Sequence, residues 1–342
     1  MRNILIIKLR YIGDVLLATP VLHALRDRFP DTRLTMLVNR GTEDILKWNP
    51  DVNEVLVVDR GALTAQFRFL GELRRRRFDC VIDLTDGDRS AILARLSSAT
   101  VRVGFNEERR WRGLLYTSVV QATHLAHRVE RDFEAVRVLG IEPKAGPLVL
   151  CTSQQDDEEA AKLLAEVGMK GGAPAGATRP LVLLHPGARY WFKAWPAERF
   201  AELADRLTDA SGCRVLVGGD ANDKPVAEVI QARARSAPTV LAGRTTLLQL
   251  AAVLKRCALF IGNDNGPMHI AAAMGTPVVA LFGPSDPSVW GPRGGRAEVL
   301  YKGLDCRQCF HPTCERGEES CMNQISVDEV FAAAQRCLAE KC

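Results

Sequence analysis

The most constraining stretch of the chain is Cys257 to Pro284, CALFIGNDNGPMHIAAAMGTPVVALFGP. Ala258 to Ile261 is a short apolar run with the length and content of a buried strand. Gly262-Asn263-Asp264-Asn265-Gly266 is a polar loop bounded by glycines. Pro267 suits the first position of a helix, where its missing N–H removes no bond. The pattern predicts a helix over 268–274 stopped by Gly275, a second buried strand over 278–282, and a turn at Gly283-Pro284. Strand, loop, helix and strand in this order form the repeat of an open α/β sheet. Ligands of such sheets bind at the carboxyl ends of the strands. The loop also presents backbone N–H groups at the positive end of a helix, which attracts anions. Asp264 fits sugar hydroxyls or the loop's own amides better than a phosphate, which a carboxylate repels. The plain alternative is a tight turn with Asp264 as its cap.

The remaining sequence continues the alternation. Its 342 residues suit two domains, and 47% apolar with 25% charged residues is ordinary for a globular protein. No apolar run approaches the ~18 residues of a membrane span. The opening MRNILIIKLR lacks the length and cleavage site of a signal peptide. It reads as a first strand over 3–9, in a protein expected in the cytoplasm with most of its ten cysteines as thiols. The net charge is +4, and the positive surplus falls within residues 1–150. That half is the better face for an anionic partner, although the asymmetry is too small for nucleic acid.

After the first strand, a loop leads to Gly13-Asp14 and a helical apolar spacing that Pro20 interrupts. Either the helix kinks there or a new one begins with Thr19 as its cap. This loop lacks both the triple-glycine dinucleotide pattern and a Gly-Lys-Ser/Thr ending. Strands over 34–38, 55–58, 80–84 and 101–104, with helices over 42–48, 63–77 and 128–139, complete one α/β domain. A helix over 155–167 is capped by Ser153, and 170–177 has a flexible linker composition. A second domain starts with a strand over 181–184 and the loop His185-Pro186-Gly187-Ala188-Arg189. A final helix opens with a capping box, Ser326 and Glu329.

Four motifs stand in order: Gly13-Asp14-Val15-Leu16-Leu17, His185-Pro186-Gly187-Ala188, Lys193 before Trp195-Pro196, and Asn263-Asp264-Asn265-Gly266-Pro267-Met268-His269. In these the chain resembles, over nearly its whole length, the lipopolysaccharide heptosyltransferases of glycosyltransferase family 9. The resemblance implies an α/β GT-B architecture, two Rossmann-like domains facing across a cleft. It places an acceptor domain over 1–150, a linker with a helix over 151–180, a nucleotide-sugar domain over 181–325, and a last helix over 326–342 packing back on the first domain. It implies inverting transfer of L-glycero-D-manno-heptose from ADP-heptose to a heptose of the lipopolysaccharide inner core. The enzyme would be cytoplasmic, peripheral to the inner membrane, and without a required metal. Thr85-Asp86-Gly87-Asp88 looks most like the subtype that adds the third, branching heptose. Runner-up readings are a related GT-B enzyme on another nucleotide sugar and a catalytically silent nucleotide-sugar-binding protein.

The resemblance also assigns residues. Asp14 matches the catalytic aspartate that takes the acceptor proton; the plain alternative is a helix cap. Lys193 matches the lysine at the donor diphosphate, and the turn Asn265-Gly266-Pro267-Met268 would hold the same phosphates. Asp264 and His269 belong to the donor site by the same match, and Asp220 occupies the acidic ribose-binding position. Their alternatives are a loop cap, a packing histidine, and a turn-former after Gly218-Gly219. Ala188-Arg189 departs from relatives that carry two hydroxyl side chains there, and Arg189 would replace those contacts with charge. Arg74 to Arg77 either meets anionic groups of the acceptor or membrane, or is a solvated helix end. Asp86-Gly87-Asp88 mimics a metal motif of another glycosyltransferase fold; it reads as acceptor contacts or plain loop. Cys306, Cys309, Cys314 and Cys321, with His311 among them, supply enough ligands for a structural zinc. Their spacing is not a strong paired Cys-x2-Cys pattern, so unligated thiols are the first expectation and zinc the second.

Overall fold

A computed structural model describes residues 1–59, 63–121, 127–144, 146–168, 179–306, 309 and 313–339. The chain divides into two units, Met1–Cys151 and Thr152–Cys342. The first contains β1 (Asn3–Lys8), α1 (Ile12–Leu17), α2 (Thr19–Arg28), β2 (Arg33–Asn39), β3 (Glu54–Val58), α3 (Leu63–Arg75), β4 (Cys80–Asp83), α4 (Asp88–Leu96), β5 (Val101–Phe105), β6 (Ser118–Val120) and α5 (Arg128–Arg137). The second contains α6 (Gln154–Glu166), β7 (Leu181–His185), α7 (Ala197–Ser211), β8 (Arg214–Val217), α8 (Lys224–Arg233), β9 (Thr239–Val240), α9 (Leu247–Leu254), β10 (Leu259–Asn263), α10 (Gly266–Ala273), β11 (Val278–Phe282), α11 (Pro287–Trp290), β12 (Ala297–Tyr301) and α12 (Val327–Ala339).

Each unit has one six-stranded sheet, ordered β3-β2-β1-β4-β5-β6 and β12-β11-β10-β7-β8-β9. All pairings are parallel. Counted from its own first strand, each sheet reads 3-2-1-4-5-6, so a Rossmann winding occurs twice. Parallel strands need crossovers, and helical crossovers cover both faces of a sheet. The central strands are accordingly buried throughout, as in β10 and β11. The strand order reverses between β1 and β4, and again between β7 and β10. Connections from such neighbours leave over opposite faces and open a crevice at the carboxyl ends. Those four strands lead to Asp14, Asp86, the His185–Gly187 loop and Asn263–Gly266.

Several elements differ from expectation. A single αR residue, Ala18, joins α1 to α2, and Pro20 is the second residue of α2. Thr19 Oγ1 donates to the Leu16 carbonyl, so the junction is a bend rather than a newly capped helix. α3 stops at Arg75 because Arg77 adopts a left-handed φ of 50°. Arg76 pairs with Glu54 at 2.5 Å and Glu72 at 2.9 Å, which takes it out of any free cationic run. The sequence reading passed over α4, β6 and β12, whose apolar residues are few or interrupted. The capping boxes at Ser153/Asp156 and Ser326/Glu329 are present. The 170–177 linker lies outside the described residues. α12 buries Val330, Phe331, Ala334 and Cys337 in the core that contains Phe200, Leu203 and Leu207 of α7. Its apolar face thus completes the core of the second unit.

Candidate active site

In the first unit, β1 delivers the chain to Asp14 at the third position of α1. Asp14 is half-buried, and its Oδ2 accepts from the Tyr11 amide at 3.3 Å. The cap contact is therefore real, and long enough to leave the carboxylate available for other partners. α1 packs on α5, whose first residue, Arg128, feels the Asp14 charge. Burial lowers the Arg128 pKa and neighbouring Arg131 lowers it further, while Asp132, Glu107 and Asp14 oppose them.

The rest of this end of the sheet is a chain of buried ion pairs. Lys8, 3% exposed, donates to Asp132 at 2.6 Å and to the Leu84 carbonyl at 3.1 Å. Arg131 meets Asp132, Glu107 and Asp86, and lies 3.8 Å from the Phe105 ring centre. Burial disfavours the Arg131 cation, but Asp132 and Glu107 outweigh it and raise its pKa. Arg112 pairs with Asp86, Asp88 and Glu108. The Asp86-Gly87-Asp88 segment is thus engaged by arginines of its own unit. Beneath it, Asp83 is wholly buried, and burial pushes its pKa up against hydrogen bonds from neighbours including Tyr116, whose hydroxyl donates to it at 2.7 Å.

In the second unit, three loops are laced together by two asparagines. Asn263 Oδ1 accepts from the Trp195 amide at 3.1 Å and its Nδ2 donates to the Pro186 carbonyl at 2.8 Å. Asn265 caps α10 by accepting from the Met268 amide at 3.1 Å. Its Nδ2 donates to the Gly187 carbonyl at 2.7 Å and faces His185 Nδ1 at 3.0 Å. With both Asn265 hydrogens so used, His185 Nδ1 is the acceptor and its proton sits on Nε2. Burial pushes the His185 pKa down, opposed by Asp223 and the Gly187 backbone, which favours that neutral form.

Lys193 and Asp264 form an ion pair at 2.6 Å. This explains a carboxylate beside an anion site: Lys193 compensates its charge. Gly266, Pro267 and Met268 form the first turn of α10, and His269 is buried in the next. Asp220 uses Oδ1 to accept from the Asn222 amide at 2.6 Å and the Asp223 amide at 3.2 Å. It therefore shapes its own turn. Gly187 is required by close approach, since a Cβ there would meet Asp223 Oδ2 at 2.4 Å. Ala188 is half-buried; Arg189 is exposed, 5.9 Å from the Tyr190 ring centre. Tyr190 and Phe192 stack at 5.1 Å and Trp191 meets Phe192 edge-on at 5.7 Å, directly before Lys193. Sequence reasoning missed this cluster, His185 as an acceptor, Asn263, Arg112 and Arg131. The three adjacent aromatics beside a motif lysine were its available signal.

Cys306 is exposed, Cys309 and Cys314 half-buried, and Cys321 buried; none is in a disulfide. Burial raises the Cys309 pKa, with Cys314 and Cys306 adding to it. Among the described residues no group of three or more His, Cys, Asp or Glu side chains is arranged to hold a metal, so the zinc reading gains no support there. His311 lies outside the described residues.

Residues 66–319 match the model of glycosyltransferase family 9 (heptosyltransferase). The chain belongs to glycosyltransferase family 9. It is 30% identical over 345 residues to lipopolysaccharide heptosyltransferase 3 of Escherichia coli K12, covering 97% of each chain. The crystal structure of a glycosyl transferase family 9 protein from Veillonella parvula superposes with a TM-score of 0.85 at 26% identity, covering 99% of this chain and 98% of that one. E. coli heptosyltransferase WaaC with ADP-2-deoxy-2-fluoro heptose shares the fold, with a TM-score of 0.71 at 23% identity, over 98% of this chain and 99% of WaaC. Two successive Rossmann-like units are the GT-B architecture of this family.

Proposed function

We propose that this chain is an inverting heptosyltransferase that moves L-glycero-D-manno-heptose from ADP-heptose to a heptose of the lipopolysaccharide inner core. The observation that carries the reading is a pair of half-sites at corresponding switch points. One bears a carboxylate after β1, the other a lysine–aspartate pair beside the N-terminus of α10. The full-length likeness to lipopolysaccharide heptosyltransferase 3 supports the acceptor class and the branching subtype.

Breaking the bond between an anomeric carbon and a diphosphate builds negative charge on the leaving group and an oxocarbenium-like sugar. Lys193, oriented by Asp264, and the amides of the α10 first turn are donors for that charge. Asp14 accepts the proton of the incoming hydroxyl on the face opposite the diphosphate, which inverts the anomeric centre. A carboxylate is a weak base, so proton transfer comes late, once the attacking oxygen has become acidic. Arg189 and the turn held by Asp220 are the remaining donor contacts, with Asp220 serving the ribose. Among the described residues no helix is long and apolar enough to cross a membrane; the acceptor is met at the inner leaflet by peripheral contact.

Mass spectrometry of truncated core oligosaccharide incubated with ADP-heptose tests the reading. A gain of one heptose is expected. Tighter binding of UDP or GDP than ADP in calorimetry, with no heptose added, overturns it.

A further inference from the structure

We infer that Asp86 is the positioning residue of the acceptor half-site: its carboxylate, shared between two buried arginines, fixes the segment that aims Asp14. The inference rests on the role proposed above for Asp14. Asp86 has a left-handed φ of 57°, a conformation that aspartate enters more readily than most side chains, and local contacts hold it there. The contacts that do so are its own. Oδ1 accepts from Arg112 Nη2 at 2.8 Å and Oδ2 from Arg131 Nη2 at 3.2 Å. The side chains of Arg112 and Arg131 are only 3% and 4% exposed. Buried guanidinium ions stay charged and are costly to leave unpaired; Asp86 is one of three carboxylates on each, with Asp88 and Glu108 on Arg112 and Glu107 and Asp132 on Arg131. One arginine comes from the turn after β5, the other from α5, so the carboxylate clamps two connections to the end of β4.

From this clamp two routes lead to the base. Thr85, the preceding residue, accepts on Oγ1 from the Leu9 amide at 2.8 Å, and its carbonyl accepts from Arg10 Nε and Nη2 at 3.1 and 2.9 Å. Residues 9 and 10 lead directly into α1, which carries Asp14. By the second route, Arg131 contacts Asp132 at 3.3 Å, and Asp132 holds Lys8 at 2.6 Å at the end of β1. The same helix, α5, packs on α1. Both Asp86 oxygens accept from arginines of its own unit, so Asp86 acts through Asp14's geometry. A displacement of about 1 Å at a reacting group can lower turnover ~100-fold.

The test is a double-mutant cycle of Asp86→Asn and Asp14→Asn, read by single-turnover transfer from ADP-heptose to truncated core. Asp86→Asn is expected to lower kcat by ~10–100-fold, with the KM for ADP-heptose within about twofold of wild type. In the Asp14→Asn background it should add little further loss, because the group it aims is gone. A wild-type kcat in Asp86→Asn, or the same loss in both backgrounds, overturns the inference while leaving Asp14 as base. Wild-type turnover in Asp14→Asn removes the base assignment and the inference with it. Should Asp86→Asn not fold, Arg112→Lys carries the same cycle, since it keeps the charge and loses the two-pronged contact.

Discussion

Lys193 lies 2.6 Å from Asp264, a pair that would meet the proposed donor diphosphate already aimed. Replacing it with alanine leaves Asp264 as an uncompensated carboxylate beside a diphosphate. Lys193→Ala should weaken ADP binding by ~10–100-fold, the equivalent of one charged hydrogen bond, as read by calorimetry. Asp14→Asn should leave ADP affinity unchanged and lower turnover by ~10²–10⁴-fold, the range of a lost general base. His185 gives a pH signature. Its folded pKa lies below the ordinary 6.5, so its contribution to stability is complete above 6.5 and is lost as pH falls toward the depressed value. Urea midpoints at pH 7.5 and 5.5 should show that loss in the wild type, and His185→Asn should reduce it. Asp14, Lys193 and Asp264 were proposed from sequence because each sits in a local motif. Their partners were not: Asp264 meets Lys193 across 71 residues, and Asp86 meets Arg131 across 45. Spacing within one motif carries no record of such meetings.

α10 shows which parts of an element can be read from sequence. Pro267 near its start and Gly275 past its end were visible, and Gly275 does adopt a positive φ of 76°. The helix nevertheless begins at Gly266, because Asn265 rather than Pro267's neighbour Gly266 serves as the cap. Asn265→Ala should cost about 1 kcal/mol for the cap alone, and more through the Gly187 carbonyl and His185 it also engages. A denaturation midpoint compared with that of Thr246→Ala, which removes only a surface cap on α9, measures the excess. α4 escaped sequence reading for the opposite reason. Its nine residues include Asp88, Arg89 and Arg95, and its apolar face is short. What fixes its start is the clamp around Asp86, a tertiary contact.

Each unit has its own six-stranded sheet, and the second has a core closed by α12. The proposed nucleotide contacts are confined to that second unit. Calorimetric unfolding should show two transitions, and saturating ADP should raise only one. At ADP 100-fold above Kd the gain is about 2.7 kcal/mol, a shift of roughly 5–10 °C for a unit of this size. Equal shifts in both transitions would contradict the assignment of nucleotide to one unit. The two-domain α/β plan was readable from the alternation of apolar runs and turns. Which side chains cover the buried face of the last helix was not, since an amphipathic face records that it is covered and not by what. The shared 3-2-1-4-5-6 winding has a consequence for engineering. If donor and acceptor sites divide between the units as proposed, a hybrid that joins residues 1–151 to the corresponding half of a relative with the same winding would exchange donor preference as a cassette and keep the original acceptor machinery.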